Sequence, residues 1–89
     1  MFDHASAPVV VRLMELLEKT SNGQIIVPRE EIGPDSIRRT GIDSVGLLVF
    51  LIAVEDEYGI EWNDDVPATI LHSFAAMAAY IEKELGLAA

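Results

Sequence analysis

Few side chains in this sequence are of a type and spacing to do chemistry unaided. Cysteine is absent, so the chain has no thiol nucleophile, no thiolate metal site and no disulfide. Any thiol chemistry has to come from a group added to it. His4 and His72 have no second and third partners at the spacing of a nucleophilic triad or a metal site, and His72 reads as a solvated loop residue. Glu55, Asp56 and Glu57 are the densest run of carboxylates. Consecutive residues on a helix point in different directions, so these are expected to form a solvated face rather than a proton-transfer or metal site. Gly33-Pro34 and Gly41 are too sparse for a phosphate-cradling loop. No catalytic residue and no metal ligand is assigned. The hydroxyl of Ser44 remains. It follows Asp43 and precedes an apolar run, Val45 to Val54, where a helix start would leave it exposed and able to cap backbone N–H groups two or three residues on.

The elements that position Ser44 follow from periodicity and punctuation. A first helix is predicted from near Ser6, with Ser6 as cap, Pro8 in the first turn, and Val9, Val10, Leu13, Leu16 and Leu17 at helical spacing. Ser21-Asn22-Gly23 stops it. Residues 24–43 make a long connection in which Ile25 to Val27 could form a short extended piece, and Ile32, Ile37 and Ile42 are expected to pin the loop to the rest. A second helix is predicted over Val45 to Tyr58, capped by Ser44 and ended by Gly59. Trp62 just beyond it is a packing anchor. A short third helix is predicted from Asp64-Asp65 through Pro67 to Leu71. Ser73 caps the last helix, Phe74, Met77, Ile81 and Leu85 give it one apolar stripe, and Gly86 ends it. The fold class is all-α: a four-helix bundle, long-long-short-long, with a long first loop and a single domain over 1–89. Its core is expected to comprise Leu13, Leu16, Leu17, Phe50, Leu51, Val54, Met77 and Ile81.

Composition bounds the partners. The net charge is −9 over 89 residues, which argues against nucleic acid and anionic membrane surfaces as partners. From Val45 onward Lys83 is the only base against eight acids, so this half would draw in basic partners, or its acids simply solvate the surface. The start MFDHASAP has no secretory pattern, and a cytoplasmic location is expected.

Gly41-Ile42-Asp43-Ser44-Val45 resembles the Gly-Leu-Asp-Ser-Leu attachment motif of acyl and peptidyl carrier proteins. Val54-Glu55-Asp56-Glu57-Tyr58-Gly59-Ile60-Glu61 is similar to the family's end of helix II. Ile32 to Arg38 is similar to its loop before the motif, and Ser73-Phe74 through Tyr80-Ile81 to its final helix. The resemblance runs in order over nearly the whole chain. It implies that a phosphopantetheinyl transferase moves 4'-phosphopantetheine from coenzyme A onto Ser44, with Asp43 assisting by helping to bind the transferase's metal ion. Asp43 is equally a dipole-favourable acid at a helix start. A phosphodiester on Ser44 would meet the positive end of a helix dipole. The arm's thiol would supply what the cysteine-free chain lacks, and the tether would give its cargo a high effective concentration at a docked enzyme.

One departure from the family's pattern narrows the reading. Fatty-acid carriers usually carry acids just after the motif serine, whereas here the stretch is Gly46, Leu47, Leu48, Val49, Phe50, Leu51, Ile52, with no acid before Glu55. This fits better a discrete, monomeric carrier of polyketide or nonribosomal peptide type. It would be loaded by an acyl- or aminoacyl-activating (adenylating) enzyme or an acyltransferase and would hand over to a synthase or transferase. The cargo would be an aminoacyl, hydroxyacyl or malonyl-type unit. Helix II carries two apolar stripes. Leu47, Phe50, Leu51, Val54 and Tyr58 form one. Val45, Leu48, Val49 and Ile52 form the other, which the resemblance places outside as a docking face. The alternatives are that this face covers the first loop or a second copy. A helical interaction module without prosthetic group, a primary fatty-acid carrier, and a small enzyme acting through its carboxylates are the competing functions.

Overall fold

The computed structural model describes residues 6–86. Among them are four α-helices and no strand: α1 (Ser6–Thr20), α2 (Ser44–Tyr58), α3 (Ala68–Leu71) and α4 (Phe74–Leu85). The side chain of Ser6, the expected first cap, and His4 lie outside the described residues. Helix α1 is the centre of the arrangement, packing against both α2 and α4, while α3 lies on α4. Its buried side is Val9, Val10, Leu13, Met14, Leu16 and Leu17, with Glu15 and Lys19 exposed. This is the arc that helical spacing dictates. Phe50, Val54, Phe74, Met77 and Ile81 complete the core, all fully buried. Leu51, expected in the core, is only partly buried, and Leu85, expected on the α4 stripe, is exposed at the last turn.

The long first loop forms no extended pairing at Ile25 to Val27. Instead Val27 is buried, and its N–H donates to Glu18 Oε2 on α1 at 2.8 Å. Arg29 grips the same carboxylate at 2.8 and 3.0 Å and also donates to the Val27 carbonyl. The hydrogen bond from Arg29, then that from the Val27 amide, hold the Glu18 carboxyl down at about 2. Further on, the loop is stitched to the start of α4. Ile37 N donates to His72 O, Phe74 N to the buried Ser36 Oγ, and Ala75 N to Ile32 O. Of the expected pins, Ile37 is fully buried and Ile42 partly buried, whereas Ile32 attaches through its carbonyl and exposes its side chain.

A 3-10 turn, Arg38–Thr40, then leads to Gly41, whose φ of 82° sits in the left-handed region that favours glycine and turns the chain toward α2. Gly59 (φ 67°) ends α2, donating to Glu55 O. Trp62 is the packing anchor expected of it. Its indole donates to Leu51 O at 3.0 Å, and its ring stacks on Tyr80 with centroids 5.4 Å apart. Helix α3 is shorter than the sequence predicts. Asn63 folds residues 63–66 into a turn by accepting from Asp65 N and Val66 N, and Pro67 occupies the cap position. Ser73 caps α4 as expected, accepting from Ala76 N at 3.2 Å, and Gly86 terminates it. No helix among the described residues is long and apolar enough to cross a membrane.

Candidate functional site

Ser44 is exposed and is the first residue of α2. It is not the cap. That role belongs to Asp43, whose backbone is extended (φ −86°, ψ 176°) and whose Oδ1 accepts from Gly46 N at 2.7 Å. Two consecutive residues of capping type compete here. The carboxylate wins because it gains from the helix dipole as well as from the hydrogen bond. Ser44 Oγ is therefore left free at the surface. Asp43 takes the amide of Gly46 on its side chain and that of Leu47 on its carbonyl. Among the described residues the amides of Ser44 and Val45 have no hydrogen-bond acceptor, as the open start of a helix leaves them. An exposed hydroxyl beside two unused amides at a positive helix end is a setting that fits a phosphodiester.

Gly46 was not singled out by the sequence reading, yet it shapes this corner. A Cβ built on it would lie 3.0 Å from Asp43 Oδ1 and 3.0 Å from Ile42 Cγ1, whereas the other five glycines have open space around theirs. Glycine is a poor helix former, so its presence in the first turn of α2 is a local conflict, and this crowding is where a larger residue would meet resistance. That conflict was the one sequence signal available. Asp43 and Gly46 also border a cleft of about 320 Å³ whose far wall is the end of α1, Thr20 and Ser21, with Gln24 and Ile25 of the loop.

The outward face of α2 runs away from Ser44. Val45, Leu48, Val49 and Ile52 are 71, 58, 44 and 49 % exposed. The opposite stripe, Leu47, Phe50, Leu51, Val54 and Tyr58, is buried or partly buried. The far end of α2 is tied down by the acids that the sequence reading left to solvent. Glu57 accepts from Arg12 of α1 through both carboxylate oxygens, at 2.9 and 3.1 Å, and this guanidinium holds its carboxyl below the ordinary range. Glu55, partly buried, accepts from Trp62 N at 2.9 Å. Only Asp56 is left as a simple solvated acid. These side chains are spent on holding elements together, because they fall where α1 and the chain after α2 come within reach. Among the described residues no group of three or more histidines or carboxylates is placed to hold a metal ion.

The acyl carrier protein of Nitratidesulfovibrio vulgaris is 35 % identical to this chain over 72 residues, which span 79 % of the chain and 93 % of that relative. The chain belongs to the acyl carrier protein family. No family model and no solved structure matches it. A carrier protein has to present one reactive point to many enzymes. Helix α2 suits that use: it begins at an exposed serine, keeps its charges at the far end, and leaves one face of its surface uncovered.

Proposed function

We propose that residues 1–89 form one carrier domain. It would hold an acyl or aminoacyl building block as a thioester on a 4'-phosphopantetheine arm at Ser44. As a cytoplasmic monomer, it would present that unit to the loading and transfer enzymes of a polyketide or nonribosomal peptide pathway. The observation that carries the pathway reading is the outward face of α2, apolar and uncharged from Val45 to Ile52. A carrier recognised by basic patches would need acids there; this one offers Val45, Leu48, Val49 and Ile52 to an apolar docking surface.

Ser44 is the acceptor in the loading step. Its Oγ forms a bond to the phosphorus that carries the pantetheine in coenzyme A, and the phosphoanhydride bond breaks. Adenosine 3',5'-bisphosphate departs, and the hydroxyl proton passes to a base of the phosphopantetheinyl transferase. Asp43, one residue away, would help to hold the transferase's metal ion through its exposed carboxylate. The amides of Ser44 and Val45 and the helix dipole favour the anion once it is attached. When bound, the arm supplies a thiol and hence thioester chemistry that this cysteine-free chain cannot.

Incubating the chain with coenzyme A and a broad-specificity phosphopantetheinyl transferase, followed by intact mass measurement, tests the carrier assignment. Offering the product to adenylating enzymes and, separately, to a malonyl transferase of fatty-acid synthesis tests the pathway. Efficient malonylation without aminoacyl or special acyl loading would reassign it to primary fatty-acid synthesis. No mass gain at all would favour an interaction module without a prosthetic group.

A further inference from the structure

Gly46 has no need of a positive φ, yet it occupies the first turn of α2, where every residue type but proline is a better helix former. What the glycine provides is room on two sides. Ile42 Cγ1 and Asp43 Oδ1 would each stand 3.0 Å from a Cβ, and Ile42 Cδ1 3.5 Å. Ile42 is packed against the core cluster and is the less able to retreat. The Asp43 carboxylate, exposed and short, is the group that would move. Its Oδ1 is held by the Gly46 amide at 2.7 Å, in an exposed side chain one residue before Ser44.

We infer that Gly46 is a positioning residue for the modification of Ser44. Lacking a side chain, it allows the Asp43 carboxylate to be locked across the first turn of α2 with one oxygen on the helix and the other presented to the incoming transferase. The inference rests on the proposed function, since it concerns the loading of Ser44. Gly46 itself touches neither coenzyme A nor the reacting oxygen; it acts through Asp43. A Cβ at position 46 raises helix propensity and weakens the cap. The two effects on stability oppose each other, while the carboxylate is pushed aside, which weakens its hydrogen bond and shifts its aim.

The test uses the full chain, coenzyme A and a broad-specificity transferase. It compares the parent with Gly46→Ala, Asp43→Ala and the double variant by initial rates, melting temperature and the amide spectrum of residue 46. Gly46→Ala should melt close to the parent but be modified several-fold more slowly, a part of the roughly hundredfold that a full ångström of misplacement produces. In the Asp43→Ala background the same change should cost much less, because the carboxylate it displaces is gone and only the contact with Ile42 remains. In the parent, the Gly46 amide proton should be protected from exchange and shifted downfield by its hydrogen bond to Asp43, and in Gly46→Ala both signs should weaken. Equal modification rates for Gly46→Ala and the parent would overturn the inference. So would an undiminished effect in the Asp43→Ala background, which remains readable even where Gly46→Ala alone folds poorly. If the parent itself gains no mass, the proposed function fails and the inference with it. A modified parent with an indifferent Gly46→Ala variant sinks only the inference.

Discussion

On α2, Phe50 and Val54 are completely buried, while Leu48 and Val49, a turn or less away, are 58 and 44 % exposed. Both faces are equally apolar, so hydrophobicity did not choose between them. Neighbours did. Helix α1 covers one side of α2, with the Trp62 indole bonded to the Leu51 carbonyl, and among the described residues no other helix packs extensively against α2. One helix therefore carries two kinds of apolar surface: one held by the fold and one left for another molecule.

The sharpest way to break that comparison is to truncate the inner face. Phe50→Ala is expected to cost about 3–5 kcal/mol, and Leu17→Ala, its counterpart on α1, about 2–5 kcal/mol. A small domain has little stability to lose. Denaturant titration checks this, and an unchanged midpoint for either variant would contradict the assignment of the buried face.

Acid is the next lever, and it acts on the loop rather than on either face. The Glu18 carboxyl is held at about 2 in the folded chain against an ordinary 4.5, first by the hydrogen bond from Arg29 and then by the Val27 amide. A depressed folded value means that this stabilisation is complete above about 4.5 and fades as the pH falls toward 2. Thermal melts across that window should lose stability progressively, and Glu18→Gln should lose less over the same range because its clamp is already weakened. Parallel losses in the two proteins would place the acid sensitivity elsewhere.

Smaller still are the expected stability effects on the outer face. Leu48→Glu and Val49→Glu should each change stability by no more than about 0.5 kcal/mol, as surface substitutions usually do, while acyl transfer to or from the cognate enzyme falls. Raising the ionic strength should weaken docking of the parent less than it weakens a carrier read through acids. Unfolding of these variants would mean that the outer face is covered by the loop or by a second copy.

The helix ends were legible in the sequence because their signals are local: Gly59 and Gly86 as stops, and Ser73 as a cap three residues before the amide it binds. The outer and inner stripes of α2 were legible as stripes, but their assignment came from family resemblance and not from periodicity. The sequence points to Ser44 as the cap of α2, one residue later than the true cap, because Asp43 and Ser44 are both good capping types and the carboxylate's gain from the helix dipole separates them. The hold of Glu18 on Val27, and of Ser36 on Phe74, left no trace in the sequence, because such pairings depend on where a loop passes in space. The shortening of α3 turned on Asn63 folding back on Asp65 and Val66, a choice between two local structures of similar cost.

The site's central claim is that the free hydroxyl at the start of α2 receives the arm. Because Asp43 and not Ser44 caps the helix, Ser44→Ala is expected to leave the melting temperature nearly unchanged, so a negative result in that variant is chemical and not a folding failure. After incubation with coenzyme A and a phosphopantetheinyl transferase, the parent should gain the mass of one phosphopantetheine, located by fragmentation on Ser44, and Ser44→Ala should gain none. A mass gain that persists in a folded Ser44→Ala chain, or one that maps to another residue, would contradict the account.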